Sequence, residues 1–284
     1  MKKFAFAISI VAFSAATASA ADMAVKAMPA PPPPVYVWTG FYIGLNAGGT
    51  FSNSNVLFSS VPNPPFFTAF GLASNASVGG NSNGFIGGGQ IGYNWQFTPR
   101  FAAGIEADIQ GAARSSFRTT SAFPDPVAGQ PPMLTTFSGS KSVDYLGTVR
   151  GRLGGLVTPT LMVYGTGGLA YGGVNLTANT FQLRPNLVPG FSPNVAGSAF
   201  AGSRVGWTVG GGLEWMFLPN WSAKAEYLYY DLGTASTPAS VLVDTPNGNQ
   251  LAFNGASTRF NGNIVRAGVN YHFNWGSGSV VAKY

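Results

Sequence analysis

Prolines at positions 99, 159 and 219 stand sixty residues apart, each inside a short triplet: Thr98-Pro99-Arg100, Thr158-Pro159-Thr160 and Leu218-Pro219-Asn220. Larger apolar residues flank each triplet, Phe97 with Phe101, Val157 with Leu161 and Phe217 with Trp221. That arrangement predicts a three-residue hairpin turn between two strands. The same step backwards reaches Thr39, and forwards Ser279, so the chain divides into four hairpin-sized units. Strands are expected at 41–51, 85–97, 101–111, 143–157, 161–172, 205–217, 221–232 and 263–275. Between them lie four long polar stretches, 52–84, 112–142, 173–204 and 233–262, far longer than ordinary hairpin loops. Short turns at one end and long loops at the other are the pattern of an outer-membrane barrel. The expected fold is all-β: an eight-stranded antiparallel transmembrane up-and-down barrel with short periplasmic turns and four long external loops.

Alternation within the strands tests this. Successive strand side chains point to opposite faces. Ile105, Ala107 and Ile109 oppose Glu106 and Asp108, and Val149, Gly151 and Leu153 oppose Arg150 and Arg152. Glu214, Lys224, Glu226 and Arg266 likewise fall on the polar face of their strands, with Asp144 on the same parity nearer a loop. A soluble barrel also alternates, but four acids balance four bases on these strands, and balance is a requirement of a narrow interior where buried charge must be paired. If the Pro219 turn has three residues, Glu214 sits directly across from Lys224.

Composition agrees. Charged residues make up 8% of the 284 and there are 39 glycines, whereas soluble domains carry roughly 25% charge and about 7% glycine. Disorder is disfavoured by 22 Phe, 11 Tyr and 6 Trp. Lys2 and Lys3, the apolar stretch 4–16 and Ala18-Ser19-Ala20 form the three zones of a secretory signal peptide, expected at 1–20 with cleavage after Ala20. A Pro-rich periplasmic linker is expected at 21–37 and the barrel domain at 38–284. Removing the two lysines takes the formal charge from +6 to +4, too little and too scattered for nucleic acid. With no cysteine, thiol catalysis and cysteine-zinc sites are excluded.

Trp and Tyr favour the two bilayer interfaces. All of them lie outside the four stretches read as loops. Trp38, Trp95, Trp215, Trp221 and Trp275 fall at the periplasmic ends of their strands and Trp207 at the outer rim, so these six are expected as interface aromatics.

Seven strings, GFYIGLNAGG (40–49), GFIGGGQIGYNWQF (84–97), GTVRGRLGG (147–155), VYGTGGLAYGG (163–173), GWTVGGGLEW (206–215), KAEYLYYDLG (224–233) and VRAGVNYHF (265–273), occur in this order. Together they resemble the small outer-membrane β-barrel proteins of alphaproteobacteria, the RopB-like group within the OmpA-like, porin-type barrel superfamily. The resemblance implies an eight-stranded barrel, insertion by the outer-membrane assembly machinery with periplasmic chaperones, and a surface-exposed structural protein. Only a short segment follows the last strand, so a peptidoglycan-binding domain like that of OmpA is not expected. Phe273 or Tyr284 is expected to serve as the terminal aromatic that the assembly machinery reads.

An eight-stranded interior is just wide enough for side chains to fill. Glu106, Asp108, Asp144, Arg150, Arg152, Glu214, Lys224, Glu226 and Arg266 are therefore expected to form a lumen charge network, and the chain to be a structural protein. A narrow gated porin for small solutes is the alternative, and loop-mediated adhesion or ligand binding a second. No catalytic, cofactor-binding or metal-ligating residue is assigned and the chain is read as a non-enzyme. The single histidine, His272, falls at the periplasmic end without a Ser/His/Asp cluster. Some relatives in the resembled family bind haem, but the loops hold no His, Cys or Tyr and only Met133 as a weak axial ligand, so no axial haem binding is expected there. Arg114, Arg118, Lys141, Arg184, Arg204 and Arg259 against Asp125, Asp231 and Asp244 give the outer side a net positive charge. Outer-membrane lipid and the phosphates of lipopolysaccharide are the expected partners.

Overall fold

The computed structural model describes residues 36–63, 73–79, 82–112, 114–123, 133–183, 193–244 and 248–273. Twelve strands form one antiparallel sheet: β1 (Gly40–Ser52), β2 (Val56–Pro62), β3 (Ala76–Val78), β4 (Ser82–Thr98), β5 (Phe101–Ala112), β6 (Arg114–Phe123), β7 (Met133–Thr158), β8 (Leu161–Leu183), β9 (Asn194–Leu218), β10 (Trp221–Ser236), β11 (Ser240–Asp244) and β12 (Asn249–Phe273). The eight strands expected from the sequence correspond to β1, β4, β5, β7, β8, β9, β10 and β12. The four additional strands, β2, β3, β6 and β11, come from stretches expected as loops, and β7, β8, β9 and β12 also run well into them.

The pairings divide into two tiers. Nearest the three proline turns, β1 pairs β4, β4 pairs β5, β5 pairs β7, and the order continues through β8, β9, β10 and β12, which returns to β1 with Ala47 opposite Ala267. At the far end the long strands carry on and take new neighbours: β6 lies on β7, β11 bridges β9 and β12, and β2 joins β12 with β3 beside it. This second tier is a collar. Its alternation was present in the sequence: Val174, Leu176, Ala178 and Thr180 are buried, while the intervening residues, mostly Asn and Thr, face outward. Short inward side chains among polar residues hide a strand from a reading that weighs overall polarity.

Each proline turn is tighter than the expected three residues. Thr98 faces Phe101, Thr158 faces Leu161 and Leu218 faces Trp221, with a register shift immediately behind each pair. The turn therefore has two residues, and Phe97, Val157 and Phe217 occupy β-bulges. Because bulge and shorter turn offset one another, the register beyond is unchanged and Lys224 does face Glu214.

The faces are inverted relative to a water-soluble barrel. Ile105 is 56% exposed beside Glu106 at 2%, and Leu213 is 50% exposed beside Glu214 at 0%. Inside, two apolar clusters flank the charges. One, around Trp38, Ala102, Met162, Tyr164 and Met216, lies at the turn end. The larger, with Ile86, Leu146, Leu228, Leu232, Phe260 and Ile264 among its members, fills the interior toward the collar.

Candidate functional site

The most chemically distinctive part of the described structure is the charged centre of the interior. Strands β5, β7, β9, β10 and β12 each turn one parity inward, and the register brings Glu106, Asp108, Glu214 and Glu226 together with Arg150, Arg152, Lys224 and Arg266, all buried. Arg150 is the hub. Its Nη2 donates to Glu106 Oε1 at 2.5 Å and Asp108 Oδ2 at 2.8 Å, and its Nη1 to Glu226 Oε1 at 2.8 Å. Arg266 Nη2 joins Asp108 and Glu226 at 2.7 and 2.6 Å. Lys224 Nζ donates to both oxygens of Glu106, at 2.8 and 2.9 Å. Glu214, although it faces Lys224, forms its ion pair with Arg152 at 2.6 Å.

Glycine makes the room for this. Arg150 lies opposite Gly168, Arg152 opposite Gly104, Glu106 opposite Gly92, Glu226 opposite Gly212, Lys224 opposite Gly268 and Arg266 opposite Gly48. A long charged side chain in a narrow ring must lie across its neighbour, and a neighbour without Cβ gives it space. Tyr42 and Tyr164, missed as network members in the sequence, use the same device over Gly92 and Gly212. Tyr42 accepts from Arg152 Nη1 at 2.9 Å and donates to Glu106 at 2.7 Å, and Tyr164 donates to Glu226 at 3.2 Å beneath the Arg152 guanidinium. Both tyrosines occupy the polar parity of their strands, the signal that would have found them.

Asp144 is not part of the network. The β7–β8 register jumps from Val143 to Tyr145, which makes Asp144 a bulge residue and turns it outward, where it accepts from Ser142 and Asn175. Lys141, expected on the outer surface, is buried instead, donating to the Arg259 carbonyl at 2.9 Å and lying 5.1 Å above the Phe260 ring. Met133 is fully buried.

Trp95, Trp207, Trp215 and Trp221 project from the outer face. Trp38 does not. It is 0% exposed, folded under the turn end of the ring, with Nε1 donating to the Pro159 carbonyl at 3.0 Å and its ring 6.0 Å from that of His272. Trp275 and Tyr284 lie outside the described residues. Phe273 closes β12 opposite Phe41.

His272 is buried beside Ser222 and Glu214. Ser222 Oγ lies 2.9 Å from His272 Nε2 and donates to Glu214 Oε1 at 2.6 Å, while that same carboxylate oxygen is 3.4 Å from Nε2. Hydroxyl and carboxylate thus share one ring nitrogen. A nucleophile relay needs the acid on the other nitrogen, so the trio forms part of the packed polar interior.

Comparison with known proteins agrees with this architecture. Residues 7–273 match the outer membrane protein beta-barrel domain family. The 31 kDa outer-membrane immunogenic protein of Brucella melitensis biotype 1 is 36% identical over 275 residues, covering 93% of this chain and 97% of that protein. The 22 kDa outer membrane protein of Rhizobium leguminosarum bv. viciae is 27% identical, covering 72% of this chain and 69% of its own length. The crystal structure of OprG from Pseudomonas aeruginosa superposes with a TM-score of 0.42 at 12% identity, covering 84% of this chain and 98% of that one. With its antiparallel sheet, apolar outer face and charged interior, the chain belongs to the outer-membrane β-barrel family, is related to alphaproteobacterial outer-membrane proteins, and resides in the outer membrane.

Proposed function

We propose that β1, β4, β5, β7, β8, β9, β10 and β12 are the eight membrane-spanning strands, with the proline turns in the periplasm and the collar outside the cell. In this reading the barrel is a closed structural protein of the cell surface. The carrying observation is the filled interior. From the turn end outward it holds Trp38, then the four-against-four charge network, then the apolar cluster with Leu228, Phe260 and Ile264. Ions crossing it would have to part buried ion pairs and then dehydrate among hydrocarbon side chains, and both steps are costly. The same reading places outer-membrane lipid and lipopolysaccharide around the wall and makes the assembly machinery, with periplasmic chaperones, the route of insertion.

Planar-bilayer recording on the purified full chain tests this. Stable conductance steps are not expected. Steps that appear in the wild type and vanish in Arg150→Met would overturn the closed reading in favour of a gated channel through the network.

A further inference from the structure

Beyond the plug, the barrel wall carries a cavity that the network does not explain. β1 pairs with β12 as far as Phe51 opposite Asn263, and β2 resumes the pairing at Val56 opposite Thr258. Between them residues 53–55 drop out of the strand ladder, held to β12 by Ser54 Oγ donating to Asn261 Oδ1 and Thr258 Oγ1 donating to the Asn55 carbonyl, and across the same stretch β10 shifts register between Asp231 and Thr234. The gap is a cavity of about 510 Å³ whose lining includes Phe51, Ser54, Tyr229, Arg259, Asn261 and Asn263.

Its position is specific. Along the outward face of β12, exposed Val269 and Val265 give way to Asn263, Asn261 and Arg259. The polar boundary therefore falls at the cavity, level with the Trp207–Tyr229 ring pair at 5.3 Å. An aromatic belt at such a boundary marks the depth of lipid headgroups. The Arg259 side chain is 59% exposed, yet its plane is fixed: Nε and Nη2 both donate to Asp231 Oδ2, at 2.9 and 2.5 Å. Nη1 has no protein partner among the described residues. A guanidinium held by a carboxylate on one edge and open on the other suits a phosphate oxygen. Around it stand side-chain amides and a hydroxyl, with Asn261 donating to Tyr229 at 3.0 Å and Tyr227 to Asn263 at 2.6 Å.

From this geometry we propose that the cavity binds the phosphorylated sugar headgroup of an outer-leaflet glycolipid. Arg259 takes the phosphate, the Asn and Ser groups take sugar hydroxyls, and Phe51 and Tyr229 line the acyl boundary. The assignment rests on the collar facing the cell exterior, so two experiments separate the two ideas. The chain has no cysteine. Asn53→Cys should therefore be labelled on intact cells by a membrane-impermeant maleimide, and absence of labelling in the folded protein would overturn the orientation and this site with it. Binding is then measured with lipid A and the full chain in phosphatidylcholine nanodiscs, using heat-modifiable migration to confirm that each variant is folded.

Arg259→Ala is expected to weaken lipid A binding by about tenfold, the scale of one lost charged hydrogen bond. Arg100→Ala, in a turn at the opposite end, should leave binding unchanged, and dephosphorylated lipid A should bind the wild type as weakly as lipid A binds Arg259→Ala. Should Arg259→Ala not fold, Arg259→Gln carries the same comparison. Unchanged affinity in the Arg259 variant would overturn the site. Binding of free glucosamine 1-phosphate as tight as that of lipid A would overturn the headgroup assignment in favour of a soluble sugar phosphate.

Discussion

At the residue scale, glycines on the inner and outer faces of the wall are not equivalent. A Cβ built on Gly168 would come within 2.2 Å of the Val149 carbonyl oxygen and 2.7 Å of Arg150 Cα, backbone atoms of a paired strand that cannot step aside. One pair along, a Cβ on Gly151 would meet nothing nearer than the Gly167 carbonyl at 3.9 Å. Gly168→Ala should therefore abolish the folded, heat-modifiable form, whereas Gly151→Ala should shift the urea unfolding midpoint by no more than about 0.5 kcal/mol equivalent. Lys141 makes a second residue-scale prediction. It lies in the collar, on the stretch of β7 that pairs with β6, and burial pushes its ammonium down to about 8 from an ordinary value of 10.5. Below about 8 both folded and unfolded forms are protonated and the folded form bears the burial cost. Between 8 and 10.5 the folded form releases the proton first, so stability rises with pH across that window. Lys141→Met should flatten this rise, as unfolding midpoints taken at intervals through the window would show.

At the scale of the element, turn chemistry differs between hairpins that share a spacing. Thr98 Oγ1 accepts from the backbone N–H of Arg100 at 3.3 Å and Phe101 at 2.9 Å, and Thr158 Oγ1 accepts from Thr160 and Leu161 at 3.3 and 3.0 Å. Leu218 has no hydroxyl for this. All three turns accept one backbone N–H from the next hairpin, Leu156 N at the Arg100 carbonyl, Met216 N at the Thr160 carbonyl and His272 N at the Asn220 carbonyl, at 2.7, 2.8 and 2.8 Å, and the third adds Asn220 Nδ2 donating to the His272 carbonyl at 2.9 Å. Thr98→Ala and Thr158→Ala are each expected to lower stability by about 0.5–1.5 kcal/mol in reversible unfolding. Leu218→Ala should leave the turn hydrogen bonds intact. The prolines and their sixty-residue step were legible in the chain. The bulges at Phe97, Val157 and Phe217 were not, because a two-residue turn with a bulge and a three-residue turn without one produce the same downstream register.

At the scale of the whole molecule, ring closure is what a bilayer demands, since an open sheet edge would leave backbone groups unpaired in hydrocarbon. The closing pair is β1 with β12, and Ala47 and Ala267 meet there on the outer face. Directly opposed antiparallel residues have Cα atoms about 4.5–5.5 Å apart, within the reach of a disulfide. Ala47→Cys combined with Ala267→Cys should cross-link under oxidation and keep the boiled, unreduced chain faster on gels than its reduced form. Failure to cross-link in folded protein would exclude this closing register.

The sequence by itself determined the alternation, the four acids and four bases of the interior, the turn positions and the register that sets Glu214 against Lys224, because period-two patterning and turn spacing are local properties. Only the tertiary structure decided the rest. Asp144 left the network through a bulge, Trp38 went under the ring instead of into the interface, Lys141 turned inward, and polar stretches became a collar. Each of these outcomes depends on which strand lies alongside at that height. That neighbour is fixed by closure of the ring, through contacts between residues far apart in the chain, and no local pattern encodes it.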